Sequence, residues 1–188
     1  MLMAKVLGED WHNLSPVIQR HYDLKDGEQN SVQGEMTVQY PNWLIPVVWM
    51  IHLLGGLVLW RGAAETKVYK TALHDGLRWQ RYMNFKTNSD FFGSKMLYVA
   101  PNELLEMVGF GFGLYLTVTV EQGDLVYRSN GHFWQIGRWR LNIPDTWLLG
   151  SAMIIEHAVS DDEFALDFSM RHPRLGETYS YRGVFTKV

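Results

Sequence analysis

The 188-residue sequence predicts an α+β fold, mainly antiparallel β, with a barrel or strongly curved half-barrel and N-terminal helices packed on it. Three observations predict it. From Arg78 onward, runs of alternating apolar and polar residues recur at about 8–12-residue spacing, with turn formers between them. No strand–helix–strand alternation occurs, so a doubly wound nucleotide-binding sheet is not expected. Roughly nine strands in succession exceed what an open twisted sheet tolerates without curling, and closure removes the exposed edges.

The elements follow in chain order. Ser15-Pro16 reads as a helix start, with Ser as N-cap and Pro at the first helical position. Leu14, Val17, Ile18 and Tyr22 then form an apolar stripe that ends near Asp23. Lys25 to Asn30 is a polar loop. From Val32 the period changes to two, and Val32, Gly34, Met36, Val38 and Tyr40 share a face. Asn42 is placed to cap a helix over Trp43–Leu54, and Glu65–Ala72 is a weaker strand. The later runs are 78–86, 94–100, 103–109, 113–121, 124–130, 132–139, 151–159, 163–171 and 177–187. Asn88-Ser89-Asp90, Pro101-Asn102, Gln122-Gly123-Asp124, Ser129-Asn130-Gly131 and Ser160-Asp161-Asp162 supply turns, and Asn142–Asp145 a longer connection. One domain over 1–188 is expected: helices plus one or two strands in 1–77, then an antiparallel meander in 78–187. There is no linker, low-complexity tract or internal repeat.

Composition narrows function. Hydrophobic residues at 47% and charged residues at 20% are those of a globular chain and exclude disorder. Aromatics at 14% favour broad β-surfaces or an aromatic-lined cavity. A net charge of -3 removes the long-range attraction that a nucleic-acid or anionic-membrane binder would use. With no cysteine, thiol catalysis, disulfides and thiolate-bound metals are excluded. The N-terminus lacks a continuous apolar run and turns acidic at Glu9-Asp10, so no secretory signal is read and a cytoplasmic location is expected. Trp43 to Trp60 carries no formal charge and reaches the lower length limit of a membrane span. Pro46, His52 and the Gly55-Gly56 stop argue instead for a buried core helix, with a membrane-surface helix as the alternative.

Strand alternation picks out polar groups on apolar faces. Arg81 lies with Trp79, Met83 and Phe85, Ser94 with Met96 and Tyr98, and Glu106 with Leu104 and Val108. Glu156 lies with Ile154 and Ala158, and Tyr181 with Tyr179 and Phe185. Buried charges must be paired, so Arg81 is expected to meet Glu106 or Glu156 by bidentate hydrogen bonding. Two readings stay open: a structural ion pair, or the polar end of a ligand cavity.

Other motifs carry less. Gly109-Phe110-Gly111-Phe112-Gly113 lacks the strand–loop–helix setting of a phosphate loop and reads as a turn or bulge. None of the seven histidines falls in metal-ligand spacing, so no metal is expected. There is no GxSxG elbow. Arg138-Trp139-Arg140 is too short for a nucleic-acid groove and reads as a solvated strand edge. His172-Pro173 with Gly176 reads as a rigid corner between strands.

Several segments, in order, resemble a known family. They are Leu7, Gly8, Trp11, Leu14, Pro16, Arg20 and His21; then Trp79, Arg81 and Phe85; then Phe92 and Ser94. Leu104, Leu105, Glu106, Gly109 and Gly111 follow, with Ile143-Pro144, Ile154 and Glu156. Phe164 and Phe168, then His172, Pro173, Gly176, Tyr181 and Gly183, close the pattern. It resembles DUF4166, a bacterial family that occurs alone or appended to saccharopine-dehydrogenase-like NAD(P)-binding proteins. The resemblance implies no established reaction, cofactor or catalytic residue. Arg81, Glu106, Glu156 and Tyr181 each fall on one of its motif positions, and Ser94 and His172 complete the candidate set. The leading expectation is a small, largely apolar or amphipathic ligand held in the barrel by Arg81 and a glutamate. The alternatives are an enzyme using one of those glutamates as general acid or base, and an accessory module that docks an NAD(P)-dependent reductase through Trp43–Trp60.

Overall fold

A computed structural model describes all 188 residues. Eleven strands are present: β1 (Gln29–Gln39), β2 (Gly62–Leu73), β3 (Gly76–Phe85), β4 (Ser89–Ala100), β5 (Glu103–Met107), β6 (Phe112–Glu121), β7 (Asp124–Ile136), β8 (Trp139–Ile143), β9 (Ser151–Ala158), β10 (Glu163–His172) and β11 (Gly176–Lys187). Every pairing is antiparallel. The ladder runs β6-β5-β4-β3-β2-β1-β11-β10-β9-β7, and a β6–β7 pairing joins its ends. Ten strands thus close into a barrel, and β8 hangs outside as a hairpin on the far half of β7.

Because the strands alternate in direction, their connections gather at two ends. At one end α1 (Leu2–Leu7), a 3₁₀ turn (Gly8–Asn13) and α2 (Pro16–Tyr22) close the barrel. They are tied to its rim by backbone bonds from Asn102 to Val6 and from Ser15 to Gly123. At the other end the β1–β2 connection forms α3 (Ile45–Leu53), which lies over the opening. The apolar face of each strand turns inward, and a single core runs from α1 and α2 through the barrel.

Several boundaries differ from the sequence reading. Ser129-Asn130-Gly131 is not a turn. Gly131 (φ 110) sits at a bulge opposite β6, and β7 continues to Ile136, so 124–130 and 132–139 belong largely to one strand. The run 103–109 ends at Met107, and Gly109–Gly111 is a tight turn with Phe110 and Gly111 at positive φ. Ser15 does not cap α2 through its side chain; its hydroxyl donates to the Gly123 carbonyl, 3.0 Å away. Nor does Asn42 cap its helix, because its Oδ1 accepts from Arg61 Nη1 at 2.5 Å.

The largest correction concerns Trp43–Trp60. Only Val48 of α3 is buried, while Ile45, Trp49, Met50 and Leu53 are exposed, as is Trp43 before it. One edge of the helix covers the barrel, and apolar residues around the rest of it face outward. No helix is long and apolar enough to cross a membrane.

Gly150 anchors the run-in to β9. Its φ is 98, and an added Cβ would lie 2.0 Å from the Arg171 carbonyl oxygen. Gly137, at the β7–β8 hairpin tip, has φ 58 but open space around it. Gly150→Ala should therefore lower stability by several kcal/mol, on the order of 3, and Gly137→Ala by about 1. Urea denaturation followed by circular dichroism reads both.

Candidate functional site

The inward polar groups form two clusters at different depths. The upper one spans three neighbouring strands. On β3 Arg81 faces inward, on β4 Ser94 pairs with the adjacent Trp79 position, and on β5 Glu106 pairs with Met96. Ser94 Oγ donates to Glu106 Oε1 at 2.7 Å and accepts from Arg81 Nη1 at 3.2 Å. Arg81 Nη2 stands 3.9 Å from Glu106 Oε1, too long for the bidentate pair expected from the sequence, so Ser94 bridges the two charges. The guanidinium packs about 5 Å from the rings of Trp79 and Phe92, which shield it from water.

Glu156 belongs to the lower cluster, near α2. It is 2% exposed, and its Oε1 accepts from Tyr22 at 2.7 Å. Tyr127 in turn donates to the Tyr22 hydroxyl at 2.8 Å, while Glu156 Oε2 has no protein partner. Lys70, 1% exposed, places its ammonium 3.9 Å over the Tyr22 ring and donates to the His21 carbonyl. Burial pushes Glu156 up and Lys70 well down from their ordinary values, so both lean toward their neutral forms. Burial likewise drives His21 well below its usual value, with the Lys70 charge adding to the effect.

Above the Arg81 cluster, beneath α3, lies a cavity of about 180 Å³. Its wall is mostly apolar: Met50 and Ile51 from α3, Leu54 just after it, Phe168 and Met170 from β10, and Leu114 from β6 among others. The polar side chains in its wall are Glu106, His132 and Tyr181. Glu106 Oε1 is engaged by Ser94, whereas Oε2 makes no hydrogen bond to protein. His132 Nδ1 bonds Asp145 Oδ1 at 2.7 Å, which leaves Nε2 as the ring nitrogen without a protein partner. Tyr181 stacks on Phe168 with ring centroids 4.5 Å apart, and burial pushes its hydroxyl up to about 12. Glu106, Leu114 and His132 occupy matched positions on β5, β6 and β7, so the two polar groups face the same space across one strand.

The structure thus brings Glu106 and Tyr181 to the cavity, with Ser94 and Arg81 directly behind Glu106. It does not bring Glu156 or His172. The His172 ring bonds the Thr146 carbonyl and accepts from the Arg174 amide, holding the β10–β11 corner. Sequence reasoning missed His132, Asp145, Lys70, Tyr22 and Tyr127. Lys70 had a signal, since Thr66, Val68 and Ala72 share its face. His132 had none, because the supposed turn at 129–131 hid its place in β7.

The profile of the family described as Domain of unknown function (DUF4166) matches residues 14–185. The chain belongs to the DUF4166 family. No curated protein matches it. The matched span includes α2, α3 and every strand of this DUF4166 barrel except the last two residues of β11, with α1 outside it.

Two predictions test the clusters. Arg81→Met strands the Glu106 carboxylate and should cost roughly 3–5 kcal/mol. Adding Glu106→Leu should recover much of that loss in a double-mutant cycle, because no unpaired charge remains. For Glu156 the folded value lies above the ordinary 4.5, so its stability penalty is absent below that value and grows as pH rises through it. Glu156→Gln keeps an acceptor for Tyr22 and removes the penalty. Its stability relative to wild type should rise as pH increases from about 4.5, measured by thermal unfolding across pH.

Proposed function

We propose that this DUF4166 barrel binds a small amphipathic molecule in the cavity beneath α3, its apolar body among Leu114, Phe168 and Met170 and its polar group at Glu106. The observation that carries this reading is the apolar 180 Å³ cavity, into whose wall Glu106 is set with one carboxylate oxygen free of protein partners. Apolar pockets with a few convergent polar groups are the usual form of ligand sites. A cavity of about 150 Å³ takes a molecule the size of benzene, so the space fits a body of roughly six to ten heavy atoms. Since Ser94 and Arg81 already neutralise one side of Glu106, the free oxygen calls for a hydrogen-bond donor. A hydroxyl or an ammonium group fits, whereas a carboxylate would meet a like charge.

A second reading has its own observation. Asp145 holds His132 through Nδ1, the arrangement that fixes an imidazole for proton transfer at Nε2. With Glu106 across the same cavity, a bound molecule would sit between two groups able to exchange protons. This keeps acid–base chemistry open but moves it away from Glu156, which lies outside the cavity wall.

Medium-chain alcohols and amines test the binding reading. 1-Octanol or octylamine should raise the unfolding temperature in a concentration-dependent way, by mass action on the folded state. Leu114→Trp, which fills the cavity, should abolish the rise, and Glu106→Gln should weaken the amine more than the alcohol. A wild-type midpoint indifferent to the whole series would overturn the proposal.

A further inference from the structure

Of the eight tryptophans, only Trp11 and Trp79 are buried. The exposed ones collect at the α3 end of the barrel. Trp43 and Trp49 flank or occupy α3, and Trp147, 80% exposed, lies between β8 and β9. Trp139, 74% exposed, opens β8 at the hairpin tip. Phe110, equally exposed, joins them from the β5–β6 turn. These pieces are physically joined. Gly109 bonds the Gly55 carbonyl just after α3, and Trp134 donates to the Phe110 carbonyl at 3.0 Å. At the opposite end the exposed large apolar residues in the connections and termini are Met1, Val159 and Val188, none aromatic.

Charge is divided along the same axis. The connections at the α3 end (residues 40–61, 86–88, 108–111, 137–138, 144–150 and 173–175) carry Arg61, Lys86, Arg138 and Arg174. Their one carboxylate, Asp145, is held by His132. On the strands beside these connections stand Arg140 and Arg171, together with Asp90, Glu106 and Glu177, whose carboxylates are engaged by the Leu59 amide, Ser94 and Arg182. The opposite end (residues 1–28, 74–75, 101–102, 122–123 and 159–162) carries eight carboxylates: five in residues 1–28, with Asp75, Asp161 and Asp162. Against them stand Lys5, Arg20 and Lys25. The net charge of -3 therefore hides a molecule with a basic, tryptophan-rich pole and an acidic one.

We infer that the α3 pole seats on the surface of an anionic lipid bilayer, with Trp43, Trp49, Trp139 and Trp147 in the headgroup region and Arg138 and Arg140 against lipid phosphates. Tryptophan prefers that interface because its ring is apolar and its N–H still finds a hydrogen-bond partner there. Juxtaposed cations add attraction to anionic lipid, and the acidic pole, repelled by the same surface, fixes the orientation. The cavity mouth then faces the bilayer, a reservoir of amphipathic molecules. The surface itself does not depend on the cavity being filled.

The test uses the full chain with vesicles of phosphatidylcholine alone or mixed with phosphatidylglycerol. Flotation should show binding to the anionic vesicles, weak binding to the neutral ones, and loss of binding as salt rises. Tryptophan emission should shift to the blue on binding. Arg138→Gln with Arg140→Gln should weaken binding about tenfold or more. Trp49→Ser with Trp147→Ser, both at exposed sites, should abolish it while leaving the circular dichroism unchanged. Val159→Ser at the far pole should bind as wild type. Leu114→Trp should also bind, which separates this surface from the ligand reading. No binding to anionic vesicles would overturn the proposal. So would a concentration-dependent dimer that the Trp49→Ser, Trp147→Ser variant breaks without any vesicle binding, since the patch would then serve a second copy of the chain.

Discussion

Closure of ten strands into one ring is the constraint from which the rest follows. The β6–β7 pairing that completes it joins the two end strands of the ladder, so neither is left as a free edge. Ring size also fixes the interior. Eight strands enclose a space that side chains just fill or that holds one small ligand, and ten enclose more. Aliphatic side chains alone do not span it. The chain fills the lower half with Tyr22, Trp79, Tyr127 and Lys70, and leaves the upper half partly open beneath α3. High aromatic content and a ligand-sized cavity are two consequences of the same diameter.

Large polar side chains inside such a ring must answer for their hydrogen bonds. Tyr127 and Tyr22 do so as a chain of donors that ends on Glu156, each hydroxyl donating a hydrogen bond toward the carboxylate. Arg81 and Glu106 do so through Ser94, whose hydroxyl accepts from one and donates to the other. The two clusters differ in what they leave over. Glu156 Oε2 is sealed in protein without a partner, and burial pushes that carboxyl toward its neutral form. Glu106 instead borders open space. The same side-chain type is sealed within the packing at one depth and borders an open cavity at another, and only its surroundings separate them.

The two ends of the barrel are built with opposite logic. The N-terminal helices bury Met3, Val6, Ile18 and Tyr22, and the 3₁₀ turn between them and the loop after α2 present carboxylates outward, Glu9, Asp10, Asp26 and Glu28 among them. Helix α3 buries little more than Val48 and presents tryptophan, isoleucine and methionine. A helix apolar on every side is ordinarily enclosed by protein or lipid. Here protein covers one edge only, which is why the exposed remainder reads as an interaction surface.

Much of the architecture was legible in the sequence. Period-two alternation is a local property, so the inward placement of Arg81, Ser94, Glu106, Glu156 and Tyr181 could be read strand by strand. Turn chemistry marked most hairpins for the same reason. Gly131 misled, because the bulge it makes inside β7 uses the backbone freedom that a hairpin turn would use. What the sequence could not decide was distance across the ring. Whether Arg81 meets Glu106 or Glu156 depends on strand neighbours and register, and β3-β4-β5 adjacency settled it for Glu106. His132 and Asp145, thirteen residues apart, meet only because the chain turns back through β8 and the segment after it. The run from Trp43 to Trp60 was visibly apolar, but its exposure was a tertiary fact, since hydropathy shows what a segment avoids and not what is there to cover it.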